Sequence, residues 1–473
     1  MKNLITLYFI IFCTFFTISA QDKTNDTTGK VKELPPKGSA PKDFKLPEKK
    51  VTTLKNGLTL VMIPYGKVPK AEINIMVKTG NLHETNDETW LSDLVADLME
   101  EGSTKNNTKE IAKKMAAMGG DLKVNVTPHA TNFRASVLRE FAPSAINLMA
   151  EVVMNPAFPE KELERLKSDM KRNISIYMTE ADSQAEKEFY GELYPNVTHG
   201  NIYSTPEKVD SFNLEKIKEF YNKQFGAKRT TVYVAGNFDE DQVTEVVKSV
   251  FKNWKEGPED SYPSISAVSK GNTKIIDRPN APQSTIYYGL PVADPSNTDY
   301  VALNVTNSLL GGSFGSRITS NIREDKGYTY SPRSSLKNYY KSSIWLESAD
   351  VTTKHTGESL SEIKKEIEIL QKTPPTEEEL KGIQNYEAGI FILRNSSPSG
   401  IINQLSYLNV FDLPESNLTN RIKNIYAVTP EKVQEITKKY ISPEKMTLIV
   451  VGDKKVIEDQ VNTFNKKSEP VKE

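Results

Sequence analysis

The sequence has almost no cysteine: Cys13 is the only one in 473 residues. It lies in an apolar run near the N-terminus that we predict to be removed on export, so the mature chain is expected to have no thiol. That excludes disulfide bonds, thiolate zinc ligands and a cysteine nucleophile. Stability must then come from hydrophobic cores, and the chain is long enough for two domains.

An excess of charge of either sign is also missing, since the formal net charge is -1. A nucleic-acid partner is not expected, because phosphate binding favours a strongly basic surface. Histidine is scarce as well: His83, His129, His199 and His355 are scattered, and none pairs with another at ligand spacing. The G-x-S-x-G motif that carries the nucleophile of many serine hydrolases is absent as well.

The first twenty residues have the pattern of a secretory signal peptide. Lys2 gives a basic start, residues 4–17 are nearly all apolar, and Ile18-Ser19-Ala20 forms a small-residue cleavage site before Gln21. An N-terminal membrane anchor is the alternative, although the apolar run is short for a bilayer span. No comparable run follows, so we expect an exported, periplasmic protein without a transmembrane segment after cleavage.

The remaining chain divides by composition and periodicity. Asn56-Gly57 predicts a hairpin, and the mixed order of strand and helix patterns favours an α+β fold. The predicted segments are a signal peptide (1–20), a flexible leader (21–48), an N-terminal domain (49–256), a linker (257–272), a C-terminal domain (273–465) and a polar tail (466–473).

An internal repeat indicates that the two domains are homologous. The helix-strand pattern over residues 214–236, which ends at Gly236, recurs without a gap over residues 430–452, which end at Gly452. Repetition of a whole supersecondary unit at a fixed offset is the signature of duplication. We therefore predict two similar halves.

Several segments in this order resemble the pitrilysin/insulinase-type zinc peptidases, which include mitochondrial processing peptidase. They are the entry hairpin LKNGLTLVMIPY, the segment beginning WLSDLVADLMEEGS, the glycine loop LLGGSFGSR and the segment IREDKGYTYS. The resemblance spans nearly the whole mature chain. It implies two α/β-roll halves with mixed, mostly antiparallel sheets and helices packed on one face.

Active members of that family have H-x-x-E-H on the helix that corresponds to residues 90–101. The two histidines and a distal glutamate hold zinc, and the central glutamate is the general base. The corresponding residues here are Asp93, Ala96 and Asp97, and the distal position falls at Asn173. The resemblance therefore implies that this chain has lost its zinc site and binds no metal or other cofactor itself.

Two interpretations of Asp93 and Asp97 remain open at this point. They lie opposite the apolar stripe of their helix together with Glu100, which predicts an ordinary solvated face. They could instead form a substitute oxygen site for calcium or manganese, although two carboxylates without a third ligand make a poor site. We favour the solvated face.

The second half, unlike the zinc helix, keeps the residues that are typical of the family. The resemblance implies that Arg323 and Tyr330, with Gly311 and Gly312 of the glycine loop, bind substrate between the halves. A guanidinium and a phenol can both donate hydrogen bonds to a developing oxyanion. The alternative interpretation is that Arg323 is an ordinary surface charge and Tyr330 an aromatic residue of a strand.

These features predict a catalytically incomplete subunit of a heteromeric periplasmic zinc peptidase. Its partner would be a homologous subunit that has H-x-x-E-H and holds the zinc, and its substrate would be an unfolded peptide. Arg323 and Tyr330 would act on the substrate in the shared cavity. One alternative is a peptide-binding or scaffold protein without a catalytic role, and another is an autonomous hydrolase with a relocated metal site at Asp93 and Asp97.

Overall fold

The predicted hairpin opens the first sheet in the computed structural model, which describes residues 44–195 and 197–468. Two antiparallel strands pair from Thr53↔Thr59 outward. Gly57 in the turn has φ +93°, a conformation that is strained for residues with a Cβ. The signal peptide, most of the leader and residues 469–473 lie outside the described residues.

The strands are β1 Lys50–Thr53, β2 Thr59–Pro64, β3 Lys70–Val77, β4 Leu122–Val126, β5 Thr131–Leu138, β6 Thr230–Gly236, β7 Thr273–Asp277, β8 Gln283–Val292, β9 Arg333–Tyr339, β10 Ser342–Thr352 and β11 Thr447–Gly452. The helices are α1 Leu91–Glu100, α2 Thr108–Ala117, α3 Ala142–Met154, α4 Glu160–Tyr177, α5 Ala181–Leu193, α6 Pro206–Asp210, α7 Leu214–Gln224, α8 Glu240–Phe251, α9 Tyr300–Asn307, α10 Arg317–Thr319, α11 Thr356–Lys372, α12 Glu377–Arg394, α13 Pro398–Val410, α14 Ser416–Thr419, α15 Arg421–Tyr426, α16 Pro430–Tyr440 and α17 Lys454–Ser468. Two π-helical segments, Ser308–Gly312 and Ser320–Asp325, follow α9 and α10.

The two sheets have the same topology. Their strand orders are β1-β2-β6-β3-β5-β4 and β7-β11-β8-β10-β9. Each contains one parallel pair, β2 with β6 and β7 with β11, and its other pairs are antiparallel. Apart from the edge strand β1, the second sheet repeats the order of the first strand for strand, as duplication of one ancestral half would produce. The expected fold of two mixed sheets is therefore confirmed.

The last strand of each half is buried on both faces. β6 and β11 lie inside their sheets, and every residue of both is buried. A strand that is covered on both faces needs a continuous apolar sequence rather than an alternating one. This explains why TTVYVAG and TLIVVG appear as the clearest repeat in the sequence.

One detail differs from the expectation of helices on a single face. The outward-facing side chains of the first sheet, such as Val61 and Ile63, pack against Ile401 and Leu405 of α13, which belongs to the second half. In return, α5 of the first half covers the second sheet. Each half thus supplies one helix to the other, because alternation leaves a second apolar face on each sheet.

The connection between the halves is packed rather than loose. Residues 257–272 contain no helix or strand, yet Ile265 is buried and the hydroxyl of Tyr262 donates to the His129 carbonyl at 3.0 Å. At the start of the described chain, Phe44 makes an edge contact with Phe391 at 5.1 Å. Among the described residues, no helix is long and apolar enough to cross a bilayer.

Candidate functional site

Helix α1 begins in an unusual way. Trp90 precedes it with φ +74°, which is uncommon for a residue with a large side chain. The buried carboxylate of Glu84 takes the place of a local cap and accepts from the backbone N–H groups of Ser92 at 2.9 Å and Trp90 at 3.0 Å. The oxygen atoms of a carboxyl group at this position satisfy free N–H groups at the start of the helix.

Asp93 lies beside this buried cap rather than on a solvated face, so that prediction was wrong. The amide nitrogen of Asn81 donates to Asp93 at 2.7 Å and to Glu84 at 3.2 Å. Burial raises the pKa of Asp93 to about 6. Burial, with the Asp93 charge second, raises the pKa of Glu84 to about 8. Near neutral pH this pair therefore holds a proton that ordinary carboxyl groups would release.

Asp97 and Glu100 are half-buried, again contrary to a solvated face. Burial, followed by the charge of Asp93, raises the pKa of Asp97 to about 7, although Arg165 partly opposes this. Glu100 accepts from the backbone N–H of Val124 at 2.9 Å, which ties α1 to β4.

The four positions that correspond to the zinc machinery do not fit zinc. Ala96 is buried and its side chain has no atom that could coordinate a metal, while Asn173 is exposed and has a neutral amide. Within the described part of the chain, no group of three or more His, Cys, Asp or Glu side chains is arranged to hold a metal ion. The substitute site for calcium or manganese therefore lacks its third ligand.

Asn173 nevertheless lies on the side of α4 that runs alongside α1. It is on one helical stripe with Arg165, which pairs with Glu101, and with Tyr177, whose ring lies 6.2 Å from Trp90. Residues four apart share a helix face, so the two helices run side by side in opposite directions. The sequence alignment at Asn173 is consistent with this geometry.

A cavity of about 430 Å³ opens beside the start of α1, and Asp93 and Glu84 form part of its wall. Trp90, Tyr177 and Tyr203 also line it, and their ring centroids are 5.8 to 6.2 Å apart. The second half contributes Tyr339. We call this the Asp93 cavity. No sequence pattern predicted this cavity, because its residues are far apart along the chain.

Three histidines that looked scattered lie close together near this cavity. His83 and His129 both contact the ring of Tyr262, and His129 and His199 both contact the ring of Tyr339. Burial lowers the pKa of His83 and of His129 to about 4 and that of His199 to about 3. All three are therefore uncharged at neutral pH. They pack against aromatic rings where the two halves meet, and they do not form a metal site.

The glycine loop of the second half packs closely against the side chains of Asn307, Ser334 and Glu347. A Cβ on Gly311 would lie 2.6 Å from both Glu347 Oε2 and Ser334 Oγ, and one on Gly312 would lie 2.4 Å from Asn307 Nδ2. A side chain at either position would force these neighbouring side chains to move, so the packing favours glycine at both. The structure therefore explains Gly311 and Gly312 by packing, and their contact with substrate stays a prediction.

Glu347 was missed by the sequence analysis. It is fully buried, and neither of its carboxylate oxygens has a hydrogen-bond partner among the described residues. Burial raises its pKa well above the ordinary range. Burial penalises the charged form of a carboxyl group, so Glu347 is expected to remain protonated although the backbone of Arg333 partly opposes this.

Arg323 and Tyr330 are brought together on the surface. The guanidinium of Arg323, in the second π-helical segment, lies over the Tyr330 ring at 5.0 Å and over the Phe314 ring at 4.4 Å. The two aromatic side chains are 78% and 71% exposed. Phe314 was not predicted, although a large aromatic within a glycine loop could have pointed to it. Neither Arg323 nor Tyr330 lines the Asp93 cavity.

Comparisons with known proteins agree with this architecture. Residues 60–207 match the family model described as insulinase (peptidase family M16), and residues 211–386 match the model described as peptidase M16 inactive domain. An uncharacterized zinc protease of Rickettsia felis is 23% identical, with 88% of this chain and 94% of that protein covered. A non-peptidase homolog of Helicobacter pylori is 21% identical, with 82% and 90% covered.

A solved structure gives the same fold. The crystal structure described as a peptidase M16 inactive domain from Pseudomonas fluorescens superposes with a TM-score of 0.79 at 20% identity, and the match covers 85% of this chain and 98% of that one. Both halves, the order of their strands and the family models thus point to one assignment: the chain belongs to the M16 peptidase family and lacks the H-x-x-E-H motif.

Proposed function

We propose that this chain is the non-catalytic subunit of a heteromeric zinc peptidase in the periplasm. Its partner would be a homologous subunit that retains H-x-x-E-H and holds the metal, and the substrate would be an unfolded peptide. The observation that carries the proposal is the contrast between the two halves. The zinc positions on α1 have been replaced and partly buried, whereas Arg323 and Tyr330 converge at an exposed site.

The exposed pair is suited to bind and orient a peptide carbonyl. The guanidinium is held between two aromatic rings and is also paired with Glu324 at 3.1 Å. Donors held in place before the reaction stabilise a developing oxyanion more than mobile ones do. This chain has no general base at position 96, so bond cleavage itself would belong to the partner.

The test mixes this protein with the H-x-x-E-H homologue from the same source and follows cleavage of a quenched peptide. We expect the wild-type chain to be inert alone and to raise the partner's turnover. Arg323→Ala should lower the turnover of the assembled pair on the order of a hundredfold, as loss of one oxyanion donor does. Arg333→Ala is the matched control, because Arg333 is an exposed arginine at the start of β9.

The same assay separates the alternative function. If Arg323→Ala assembles normally and turnover stays at the wild-type level, the pair has no catalytic role in complex. A scaffold or peptide-binding protein would then be the better description. The Asp93 cavity is the observation that favours peptide binding in either case. Detection of the mature protein in the cytoplasmic fraction would contradict the periplasmic location.

A further inference from the structure

The glycine loop of the second half presents a single side chain to solvent at its tip. Ser313 and Ser316 are buried on either side, and only Phe314 and Gly315 between them are exposed. Because glycine has no side chain, Phe314 is the only residue of the tip that can reach another group through a side-chain contact. It lies outside the hydrophobic cores, so its role has to be found in its surface contacts.

The base of the loop is firmly anchored, which gives the tip a defined position. The backbone N–H of Ser313 donates to the Ser308 carbonyl at 3.2 Å, and that of Ser316 donates to the Ser313 carbonyl at 3.1 Å. Directly after the loop, the guanidinium of Arg317 donates to both carboxylate oxygens of Glu379 on α12, each at 2.7 Å. Bidentate pairs of this kind fix geometry as well as adding energy. Phe314 therefore extends from a well-held segment.

The group that Phe314 contacts is the guanidinium of Arg323. Its central carbon lies 4.4 Å from the centroid of the Phe314 ring, which is closer than the 5.0 Å to the ring of Tyr330. The Arg323 side chain retains only 24% of its accessible surface, although both rings are mostly exposed. A cation over the face of an aromatic ring is attracted by the ring quadrupole. The two rings therefore cover Arg323 and hold it at the surface.

The ion pair of Arg323 restrains the guanidinium much less than the rings do. Its partner Glu324 lies 3.1 Å away, but the side chain of Glu324 is 56% exposed. Exposed ion pairs contribute little, because water and salt screen them. Arginine also loses much rotamer freedom when its side chain is ordered. Contacts with the rings are therefore what keeps the N–H donors of Arg323 in place before a substrate arrives.

We propose that the glycine loop acts on the reaction through Arg323, with Phe314 as the positioning residue that holds the guanidinium toward the substrate. This role rests on the proposed function, because it concerns the same arginine. Phe314 itself does not have to touch the peptide. Removal of its ring should slow turnover without weakening peptide binding, because a donor that is loosely held stabilises the transition state less.

Steady-state kinetics of the assembled pair, with the quenched peptide as substrate, test this role. Phe314→Leu keeps an apolar side chain but removes the ring. We expect kcat to fall about two- to fivefold, the fold-change that corresponds to the loss of one exposed cation–π contact, with little change in KM. Phe314→Trp keeps an aromatic face and should turn over as fast as wild type. Tyr386→Leu is the control, since it removes another exposed ring, on α12, and should leave kcat unchanged.

A double-mutant cycle distinguishes an effect through Arg323 from a direct effect on the substrate. In the Arg323→Ala background, Phe314→Leu should cause no further fall in kcat, since the group that the ring positions is gone. Phe314 is 71% exposed, so its substitution is not expected to unfold the chain, and thermal unfolding of each variant checks this.

A second readout needs neither the partner nor activity. In the mature chain labelled with isotope-enriched arginine, the Nε–H signal of Arg323 is the one that disappears from the NMR spectrum in Arg323→Lys. Aromatic rings shift the resonances of protons over their faces upfield. Phe314→Leu should therefore move the Arg323 signal downfield, whereas Phe314→Trp should leave it upfield.

Three results would overturn the positioning role while the proposed function stands. Wild-type kcat in Phe314→Leu, with slow turnover in Arg323→Ala, would mean that the ring does not position the guanidinium. A raised KM at constant kcat, or a further fall in kcat in the double variant, would show that the ring acts on the substrate directly. An Arg323 Nε–H signal that stays in place in Phe314→Leu would show that the two groups do not touch in solution. Unchanged turnover in Arg323→Ala is a separate result, which removes the proposed function and the positioning role with it.

Discussion

The guanidinium of Arg323 lies 5.0 Å from the ring centroid of Tyr330, seven residues further along the chain. The ring fixes the guanidinium in place, while the phenol hydroxyl is the group that could donate to a substrate. These two roles can be separated by substitution, because phenylalanine keeps the ring and removes the donor.

We therefore predict that Tyr330→Phe lowers the turnover of the assembled pair on the order of a hundredfold and changes peptide affinity less than twofold. Steady-state kinetics with the H-x-x-E-H partner would measure both. Tyr386→Phe is the control, since Tyr386 is another exposed tyrosine, on α12. Wild-type turnover in Tyr330→Phe would show that only the ring matters.

Glu84→Gln should remove part of the pH dependence of stability. The pKa of Glu84 is raised from 4.5 to about 8 by burial, so the folded state binds the proton more tightly than the unfolded state. Stability from this group is greatest below pH 4.5 and is lost as the pH rises to about 8.

Urea unfolding of wild type and Glu84→Gln at pH 5 and at pH 8 would measure this effect. The fall in unfolding free energy between the two pH values should be smaller in the variant, by an amount on the order of 1 kcal/mol or more. Asp87→Asn, an exposed acidic residue three positions away, should behave as wild type. An unchanged slope in Glu84→Gln would mean that other groups set the pH dependence.

His199→Phe should make the protein less sensitive to acid. Burial lowers the pKa of His199 from 6.5 to about 3, so only the unfolded state takes up a proton at mildly acidic pH. Stability from this group is full above pH 6.5 and is lost as the pH falls toward 3.

Phenylalanine keeps the edge contact with Tyr339 and breaks no hydrogen bond of Nε2, since that atom has none among the described residues. The acid-unfolding midpoint, followed by circular dichroism, should therefore move to lower pH in His199→Phe. His355→Phe is the control, because His355 lies at a partly exposed site beside Glu358. A midpoint at the wild-type pH in His199→Phe would exclude this histidine as a cause of acid unfolding.

Gly311→Ala should destabilise the second half by about 1–3 kcal/mol, the usual cost of overpacking. The new methyl group would lie 2.6 Å from the buried carboxyl group of Glu347. Gly315→Ala, in the same loop but with no atom within 4 Å of its Cβ position, should be nearly neutral. Urea unfolding would compare the two.

A double-mutant cycle tests whether Glu347 is the cause. Glu347→Ala frees the space under the loop, so the cost of Gly311→Ala should be clearly smaller in that background. If the cost is the same with and without Glu347, the clash with Ser334 Oγ, which is equally close, explains it instead.

The sequence was sufficient to predict the elements whose signals are local or repeated. The Asn56-Gly57 turn fixes the first hairpin, and the apolar runs that end at Gly236 and Gly452 identify the duplicated strands. The helix around Asp93 was predicted over residues 90–101 and is observed over Leu91–Glu100, since its apolar residues recur with helical spacing. These signals depend only on neighbours along the chain.

The environment of Asp93 could not be predicted in the same way. The face opposite the apolar stripe looked solvated, but in the folded molecule Asn81 bridges Asp93 and the buried Glu84, and aromatic rings line the cavity beside them. A polar face that packs against other polar groups has the same sequence pattern as one that faces water. Glu347 was missed for the same reason, because the glycine loop above it comes from another segment, whereas Phe314 lies close in sequence to Arg323 and could have been found.

The reciprocal covering of the two sheets by α5 and α13 suggests how such a molecule arises and how it folds. Two separate copies that traded one helix each would form a domain-swapped homodimer, and joining them end to end would give this chain. Neither half can bury its outer sheet face until the other has been synthesised and has folded. Each half alone would therefore expose an apolar surface that is prone to aggregation. Cutting within 257–272 should accordingly yield two pieces that aggregate singly and recombine when they are refolded together.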